Sequence, residues 1–492
     1  MSTNSARHFL FIVVGVYIIL ALAYASATPA WQNPDEPAHY NYARSIADQA
    51  RLPVLVAGDY DQAALERLKA TKFAGHPDIS GIRYESYQPP LYYALAGALI
   101  ALLPGTEHDL RAMRLLSIAC GALVLMVIFA SGRQIFPEDP LVALGAAALI
   151  AFIPQHTAMT AAANNDTLGE LLLSLMALLG IRRVNGLADR TFVAAGGILL
   201  GLALLTKVTA YVGGVLLVAG ELAGWWLARS QRNARFVLGG AGGRAAALRA
   251  HLAAVAGIVA IALLISGWWF VRNAMTYGNG DILGLARHDQ VVVGQPRTVI
   301  GLEAIRHFLV VSFQSFWGVF GWMGVLVDVR IYWLLALLTV IALVGLVIFL
   351  ARRLGTLSAG QRWGLAILGL EFALIFAVMI SLNLMFIQPQ GRYLFPASAA
   401  IGIFLALGVR EMIARPRLLA ALAAAGSVAL FIVVRGALFL AMGGLAVVII
   451  LGFWLASRRV YAAVVWVGLC SVLIVLNIIC LVLFIVPALS VG

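Results

Sequence analysis

Long apolar runs recur along almost the whole chain and constrain its fold more than any other feature. Each run holds roughly the 20 residues that a helix needs to cross the hydrocarbon core of a bilayer. The runs fall at 8–27, 110–131, 139–157, 166–182, 191–206, 208–227, 252–271, 329–351, 363–385, 394–413, 417–434, 437–456 and 460–485. They predict an all-α membrane protein with about 13 transmembrane helices.

The composition agrees with this interpretation and limits the possible partners. Of the 492 residues, 62% are hydrophobic and 11% are charged, whereas about 25% of residues are charged in a soluble globular protein. In a membrane protein, Lys and Arg accumulate in the cytoplasmic loops. The net charge of +12 therefore does not indicate a nucleic-acid partner. Cys120, Cys470 and Cys480 lie in apolar segments and fit neither a disulfide framework nor a metal spacing.

The first apolar run resembles a signal peptide, because Ala25-Ser26-Ala27 is similar to a cleavage site. Its length of roughly 20 residues is sufficient for a span, however. We therefore predict that residues 8–27 are retained as the first transmembrane helix.

Arginine positions determine the predicted sidedness. The stretch Pro90–Leu103 has only about 14 residues, which is short for a span. If it does not cross and the N-terminus is cytoplasmic, every arginine cluster between two spans from residue 130 onward falls inside, as the positive-inside rule requires. These clusters are Arg133; Arg182, Arg183 and Arg190; Arg229, Arg232, Arg235, Arg244 and Arg249; Arg352, Arg353 and Arg362; Arg410, Arg415 and Arg417; Arg458 and Arg459. We predict that 90–103 lies in the outer interface and that 228–250 is a cytoplasmic linker.

This topology creates two large outer loops, 28–109 and 272–328. The first contains amphipathic stretches near 36–50 and 61–72. The second is rich in aromatic residues, with Phe313 and Trp317, and Phe316 and Phe320, at helical i, i+4 spacing. This spacing predicts a helix on the membrane surface, and a packed aromatic lid without lipid contact is an equal alternative.

The segment Asn33-Pro34-Asp35-Glu36-Pro37-Ala38-His39 follows the first span directly. Two carboxylates and an imidazole at a bilayer surface indicate a site that moves protons or holds a cation. In the competing interpretation, Asp35 only caps the helix that begins at Glu36, with Pro37 in its first turn.

Further polar groups gather on the predicted outer side. They are the run Tyr84 to Tyr92, Asn164-Asn165-Asp166, Lys207, and Gln388 to Tyr393. Simpler explanations exist for several of them: Asp166 can cap a span, Lys207 can snorkel to the headgroups, and Arg392 can be an interfacial anchor. Together they predict one cavity with acids at one pole and Lys and Arg at the other. Such a cavity suits a nucleophile that must be activated and a leaving phosphate that must be held.

Six motifs follow one another along the chain: Pro34-Asp35-Glu36-Pro37-Ala38-His39, Gln88-Pro89-Pro90-Leu91-Tyr92-Tyr93, Arg114-Leu115-Leu116-Ser117 through Gly132-Arg133, Asn165-Asp166, Leu205-Thr206-Lys207 and Gly391-Arg392-Tyr393-Leu394-Phe395-Pro396. In this order they resemble the GT-C-fold membrane glycosyltransferases, in particular the protein O-mannosyltransferases, the aminoarabinose transferases of lipid A and an uncharacterised bacterial subgroup. No single motif is specific, and the resemblance depends on their order and spacing.

The resemblance implies a GT-C-like bundle with a long first periplasmic loop that carries juxtamembrane helices. Its predicted parts are a catalytic module of seven helices at 1–271 with the outer loop 28–109, an outer loop with an amphipathic aromatic helix at 272–328, and C-terminal transmembrane helices at 329–492. It also implies a polyprenyl-phosphate-sugar donor, membrane lipids as partners, and a glycan, lipid or protein acceptor. The expected location is the bacterial cytoplasmic (inner) membrane, with the active site facing the periplasm or exterior.

The resemblance assigns roles to individual residues. Asp35, with help from Glu36, is the expected base in an inverting transfer, and Asp166 is the second acid. Arg392 and Lys207 are expected to bind the donor phosphate, together with Gln88 and Tyr393. Some relatives carry a charged residue where this chain has Gln88, so the donor contact is weakest there. A divalent cation held by Asp35, His39 and Asp166 is an open alternative, and no other cofactor is expected.

Two other functions fit the same features in part. A glycolipid flippase or transporter would use the same charges to carry a headgroup, but it predicts polar residues through the whole bilayer depth. A polymerase or ligase of surface polysaccharide shares the lipid-linked donor and transfers a whole glycan.

Overall fold

The computed structural model of this protein describes residues 3–75, 77–102, 105–186, 191–235, 241–278, 280–294 and 297–490. Arg190 and positions 236–240 of the predicted linker lie outside these ranges. The helices are α1 Thr3–Ala27, α2 Glu36–Gln49, α3 Gln62–Ala70, α4 Leu91–Leu102, α5 Thr106–Ile135, α6 Pro140–Ala151, α7 Pro154–Thr160, α8 Asp166–Val184, α9 Phe192–Leu204, α10 Gly213–Arg235, α11 Ala241–Tyr277, α12 Leu285–Val291, α13 Leu302–Trp317, α14 Val329–Arg353, α15 Ala359–Met385, α16 Ser398–Ile413, α17 Pro416–Val434, α18 Ala437–Ala456, α19 Arg458–Ile479 and α20 Val486–Leu489. The predicted all-α fold is confirmed.

Helix length and hydropathy separate the spans into two groups. Ten helical segments in the described part are long and apolar enough to cross a membrane, and the bent pair α6 and α7 brings the number to eleven. The two other predicted spans correspond to α8, which carries Asp166 and Glu170 near its start, and to α9, which has 13 residues. Each predicted run therefore forms a helix or a helix pair, and ten or eleven of these have the length and composition of a span within the described residues.

The length of α4 agrees with the prediction that 90–103 does not cross the membrane. Its 12 residues rise about 18 Å at 1.5 Å per residue, well short of the roughly 30 Å hydrocarbon core. It packs against α2 and α5.

The predicted continuous span 139–157 is wrong, because α6 and α7 meet at an angle of 69°. Ile153 is extended, with φ −72° and ψ 118°, and Pro154 begins α7. A residue that precedes proline avoids the helical region, so the first helix ends before this point. The bend brings the chain directly to Asn164 and Asn165, and α8 begins there.

A buried ion pair fastens the first outer loop to the bundle. The carboxylate of Glu36 accepts from Nε and Nη2 of Arg114 at 2.9 and 2.7 Å. It also accepts from the backbone amides of Trp31 and Ala163 at 3.1 and 3.2 Å. Arg114 in turn donates to the carbonyl oxygens of Ala25 and Thr28 at 2.6 and 2.8 Å. The end of α1, the start of α2, α5 and the approach to α8 therefore share one set of hydrogen bonds.

The second outer loop differs partly from its prediction. The predicted aromatic helix exists as α13, and Leu302, Ile305 and Leu309 are exposed along it. It ends at Trp317, however, and Phe320 lies in a hairpin of β1 Val319–Phe320 and β2 Val325–Leu326. The predicted helical pairing of Phe316 with Phe320 is therefore wrong. Trp322 and Met323 of the hairpin turn line a cavity that Asp35 and Arg392 also line.

Candidate functional site

Side chains from distant parts of the chain line one cavity of about 430 Å³. This volume lies within the range of small-molecule sites, about 300–1,000 Å³. Its ionisable lining residues are Asp35, His39, Lys69, Tyr60, Tyr84, Glu85, Tyr87, Asp166, Lys207, His288, Arg392 and Tyr393. Gln88, which is not ionisable, also lines the cavity. Every predicted site residue except Glu36 is therefore among the lining residues.

Asp35 adopts a backbone conformation that is rare for a residue with a side chain. Its φ is +66°, in the left-handed region, where aspartate is tolerated better than most residues. Its side chain does not cap α2 but accepts from the hydroxyl of Tyr84 and from Nη2 of Arg392, both at 2.8 Å. The capping interpretation therefore does not explain this side chain, and strain of this kind is often found at functional sites.

The charge of Arg392 keeps Asp35 ionised. Burial alone would raise the pKa of the Asp35 carboxyl, but the positive charge of Arg392 and the hydrogen bonds from Arg392 and Tyr84 outweigh it. The net effect lowers the pKa below the ordinary aspartate value. The carboxylate is thus available to accept a proton at neutral pH.

Gly391 allows Arg392 to reach the cavity. It lies so close to α13 that a Cβ atom at this position would be 2.3 Å from the amide nitrogen of Phe316 and 2.3 Å from the carbonyl oxygen of Ser312. Its own amide donates to Oγ of Ser315 at 2.7 Å. The backbone before Arg392 is therefore held against α13, and only glycine fits there without a shift.

Arg392 keeps unused hydrogen-bonding capacity. Only 9% of its side chain is exposed, and its Nε has no partner among the described residues. Its guanidinium carbon lies 5.4 Å from the ring centre of Tyr393, whose hydroxyl donates to Oε1 of Gln388 at 2.7 Å. A planar group with a free donor suits an incoming phosphate.

Asp166 and Lys207 form the second ion pair of the cavity. Lys207 also donates to Oδ1 of Asn165 at 3.2 Å. Asp166 is the first residue of α8 and follows the N-cap residue Asn165. The ion pair gives each of these two side chains a partner, which neither of the simpler explanations predicts.

The predicted separation of acids from bases is wrong. Asp35 is bound to Arg392, and Asp166 is bound to Lys207. Opposite charges attract strongly where water is scarce, so each acid lies beside a base and not at an opposite pole. The cavity still contains both kinds of group.

The predicted metal ligands do not gather into a metal site. Within the ranges that the structure describes, no group of three His, Cys, Asp or Glu residues is placed to hold an ion. Asp35 and Asp166 are bound to cationic side chains, and Nδ1 of His39 lies 2.8 Å from the Tyr93 hydroxyl. Burial lowers the pKa of His39 to about 4 against the opposing effect of Asp35, so the imidazole is neutral at neutral pH.

Glu36 does not line the cavity, although it follows Asp35 directly. Its carboxylate is fully buried and its oxygens accept from Arg114 and backbone amides. Glu36 therefore lies outside the cavity, and its hydrogen bonds join elements of the fold.

Gln88 lines the cavity as predicted, and its side chain makes a hydrogen bond with the carboxyl of Glu85. Its Nε2 donates to the hydroxyl of Tyr87 at 3.1 Å, and its Oε1 is buried without a partner within the described ranges. Oε1 of Gln390 is in the same situation. These two free amide oxygens and the free Nε of Arg392 offer hydrogen bonds to a hydroxylated, anionic ligand.

Several lining residues were not predicted. Glu85 lies inside the run Tyr84 to Tyr92 and carries no periodic signal, while Lys69, His288 and Trp322 come from other parts of the chain. Conversely, two unusual acids, Glu170 and Glu371, do not line the cavity. Oε1 of Glu170 is 3.1 Å from Nε2 of His156. Both carboxylate oxygens of Glu371 are buried with no partner in the described structure. Only their positions in the folded chain distinguish the unpredicted lining residues from these two acids.

Comparison with known proteins gives a partial match to one family. The sequence model of the family described as dolichyl-phosphate-mannose-protein mannosyltransferase matches residues 87–269. The predicted resemblance is confirmed. The matched range includes Gln88, Asp166 and Lys207 of the cavity, and neither Asp35 nor Arg392. No curated protein matches the sequence.

Solved structures with a similar course of the chain have low identity to it. ArnT from Cupriavidus metallidurans bound to undecaprenyl phosphate is 15% identical with a TM-score of 0.49, over 99% of this chain and 77% of that chain. The apo form of ArnT is 16% identical with a TM-score of 0.48, over 96% and 77%. The apo oligosaccharyltransferase of Archaeoglobus fulgidus is 13% identical with a TM-score of 0.49, over 91% and 55%.

Proposed function

We propose that this protein is an inverting glycosyltransferase that moves a sugar from a polyprenyl-phosphate carrier to an acceptor hydroxyl. The observation that carries the proposal is the pair Asp35 and Arg392, joined at 2.8 Å in a cavity that also contains Asp166 and Lys207. A base beside two cationic side chains is what transfer from a phosphate leaving group requires. The partial match to a mannosyltransferase family supports the same reaction class.

In the proposed reaction Asp35 accepts the proton of the acceptor hydroxyl. The acceptor oxygen forms a bond to the anomeric carbon on the face opposite the phosphate, and the bond from that carbon to the phosphate oxygen breaks. The electron pair stays with the polyprenyl phosphate, and Arg392 and Lys207 stabilise the added negative charge. One displacement of this kind inverts the anomeric configuration.

Arg392 would link donor binding to activation of the acceptor, because it can move from Asp35 to the donor phosphate. A donor phosphate near the free Nε competes with Asp35 for the guanidinium. Because Arg392 lowers the pKa of Asp35, a weaker pair makes Asp35 a stronger base. Asp166 would hold Lys207 in reach of the phosphate, and Gln88, Gln390 and Tyr393 would bind sugar or phosphate oxygens.

The apolar side of the cavity is proposed to receive the start of the lipid tail. Ile375, Val378, Met379 and Leu382 of α15 line it, and the same helix exposes Leu384 on its outer surface. ArnT has been seen with undecaprenyl phosphate, and we propose a carrier of that class here. The metal alternative does not fit this donor set, because both acids are already bound to cationic side chains, so no step is assigned to a metal.

The proposed orientation places the cavity on the outer face of the bacterial cytoplasmic membrane. It is supported by the arginine distribution, which puts the loops after α5, α14 and α16 on the other side. Single cysteines at Asp78 in the first outer loop and at Gly355 after α14 would react with a membrane-impermeant maleimide in intact cells only at position 78. Reaction at 355 and not at 78 would reverse the orientation.

The test of transfer uses purified protein in proteoliposomes with a polyprenyl-phosphate hexose that is radiolabelled in the sugar. A lipid A-type glycolipid, an oligosaccharide and a Ser/Thr-rich peptide serve as acceptors. We expect label on one acceptor, with the anomeric configuration inverted. Label that only changes leaflet would support flipping, and transfer of a preassembled glycan block would support a polymerase or ligase.

A pair of variants distinguishes loss of the catalytic base from a general loss of structure. Asp35→Asn removes the proton acceptor and should reduce transfer by about 10²–10⁴-fold, the usual contribution of general base catalysis. Asp48→Asn is the matched control, because Asp48 lies on α2 with its side chain 48% exposed and outside the cavity. Near-normal turnover by Asp35→Asn would reject the base assignment.

A further inference from the structure

Glu85 is a carboxyl group of the cavity for which the proposed reaction has no use. It lies in the loop before α4 and lines the cavity. Its Oε2 is buried and has no hydrogen-bond partner in the part of the chain that the structure describes. A buried carboxylate oxygen without a donor is costly, so this group calls for either a proton or a ligand.

Within the described ranges, each Lys or Arg side chain that lines the cavity is already bound to another acid. Arg392 is bound to Asp35, Lys207 is bound to Asp166, and Lys69 is bound to Glu66 at 2.6 Å. The other titratable groups that line the cavity are His39, His288, Tyr60, Tyr84, Tyr87 and Tyr393, and Tyr93 lies behind His39. With these ion pairs formed and the imidazoles neutral, an ionised Glu85 is a carboxylate of the cavity lining whose charge no ion pair within the described residues offsets.

The donor would bring a second negative charge into this space. A polyprenyl-phosphate sugar is a phosphodiester and carries one charge at neutral pH. Two like charges in a partly dry cavity repel each other strongly. The repulsion disappears if Glu85 takes up a proton, and its O–H can then donate a hydrogen bond to a phosphate or sugar oxygen.

We infer that Glu85 takes up one proton from solvent when the donor phosphate enters the cavity, so that donor binding and proton uptake are coupled. The inference rests on the proposed function and adds a positioning residue to it. The step converts a carboxylate and a proton into a carboxylic acid, with no redox change and no covalent bond to the substrate. The proton returns to solvent when the product phosphate leaves.

The surroundings of Glu85 bring the pKa of its carboxyl close to neutral pH. Burial raises the pKa of the Glu85 carboxyl to about 7, the charge of Asp35 adds to the increase, and Lys207 opposes it. Glu85 is therefore mostly protonated below this pH and mostly ionised above it. The arrival of another negative charge raises the pKa further, so the complex holds the proton over a wider range than the free protein.

The experiment measures binding of a polyprenyl-phosphate hexose to the full-length protein in nanodiscs at pH 6 and pH 8. A diester keeps the same charge at both values, so a change in affinity belongs to the protein. Calorimetry in two buffers of different ionisation enthalpy counts the protons that are taken up. For the wild type we expect proton uptake and about tenfold weaker binding at pH 8, from linkage of one proton to one ligand.

Three variants assign the effect to one residue. Glu85→Gln keeps the shape and a hydrogen-bond donor, and it should bind with less than about twofold change between the two pH values and no proton uptake. Glu85→Asp keeps a carboxyl group and should remain pH-dependent. Glu303→Gln makes the same change on α13, where the side chain is 86% exposed and outside the cavity, and it should behave like the wild type.

The outcomes separate this inference from the proposed function. If Glu85→Gln loses affinity at pH 8 as much as the wild type does, the inference is wrong and the proposed function stands. Wild-type binding that is equal at both pH values would likewise contradict the inference and leave the proposed function intact. If the wild type does not bind the donor at either pH, the proposed function fails and the inference fails with it.

Discussion

Nη2 of Arg392 donates a hydrogen bond of 2.8 Å to Oδ2 of Asp35, although the two residues are 357 positions apart. Asp35 follows α1, and Arg392 precedes α16. The predicted catalytic module ends at residue 271, so the cavity is completed by a side chain from outside that module. The C-terminal helices thus supply part of the site as well as part of the membrane anchor.

Removing the charge of Arg392 should change the pH profile of transfer as well as its rate. Transfer needs ionised Asp35, and Arg392 lowers the pKa of that carboxyl against the effect of burial. Activity is therefore present above the pKa of Asp35 and lost as the pH falls through it. In Arg392→Gln we expect the acidic limb of kcat/KM to move to higher pH and the rate to fall by about 10²-fold or more.

Arg392→Lys is the matched control, because it keeps the positive charge but not the planar fork. We expect weaker donor binding with an acidic limb close to that of the wild type. Steady-state kinetics from pH 4 to pH 9 measures both parameters. An unchanged acidic limb in Arg392→Gln would contradict the electrostatic link between these two residues.

The pair of Glu36 and Arg114 should contribute to stability and not to chemistry. Their side chains are 0% and 6% exposed, and loss of one partner leaves a buried charge unpaired. Glu36→Gln should destabilise the protein by about 3–5 kcal/mol, seen as a lower midpoint of thermal unfolding in detergent. Glu66→Gln, at a side chain that is 52% exposed, should have little effect on stability.

Transfer by the folded fraction of Glu36→Gln distinguishes the two roles. We expect its kcat to stay within a few-fold of the wild type at a temperature well below the transition. A loss like that of Asp35→Asn, in a variant that remains folded, would return Glu36 to the catalytic residues.

Gly391→Ala should impair the site through the backbone. The added methyl group would lie 2.3 Å from two backbone atoms of α13, so the loop that carries Arg392 or the helix must move. A displacement of about 1 Å can cost roughly 10²-fold in rate. Gly324→Ala, where a Cβ meets nothing within 4 Å, should leave kcat unchanged. Equal effects of the two substitutions would show that close packing at Gly391 is unimportant.

Transfer should not depend on a divalent cation. Each of the two acids that could bind one is already bound to a cationic side chain, and those side chains supply the positive charge. Activity in excess EDTA should equal activity with added Mg²⁺ or Mn²⁺. Loss of activity in EDTA and its recovery on adding metal would contradict the assignment of Arg392 and Lys207 as the phosphate-binding cations.

Neighbouring positions show how much of the site could be predicted. Asp35 and Glu36 are the same kind of residue in one motif, and the motif predicts one shared role for them. The left-handed backbone at Asp35 turns its carboxylate into the cavity, while Glu36 points to Arg114. A motif specifies which groups are present, but only the backbone decides where each one points.

Glu85 is the opposite case, a residue that lines the cavity but was not predicted as a site residue. The run Tyr84 to Tyr92 is unusual for its polar residues, yet the role of an acid in an aperiodic loop cannot be derived from spacing. Its importance comes from an unpartnered oxygen and from cations that are already bound by other acids. Both are properties of residues that lie far apart in the sequence.

The amino-acid sequence by itself determined the helical membrane architecture, because apolar runs of spanning length have few alternatives in a bilayer. It also determined which polar groups were unusual enough to form a site. Only the tertiary structure decided that Asp35 pairs with Arg392 and that Asp166 pairs with Lys207. Ion pairing and side-chain direction depend on distances between segments remote in the chain, and no local pattern encodes those distances.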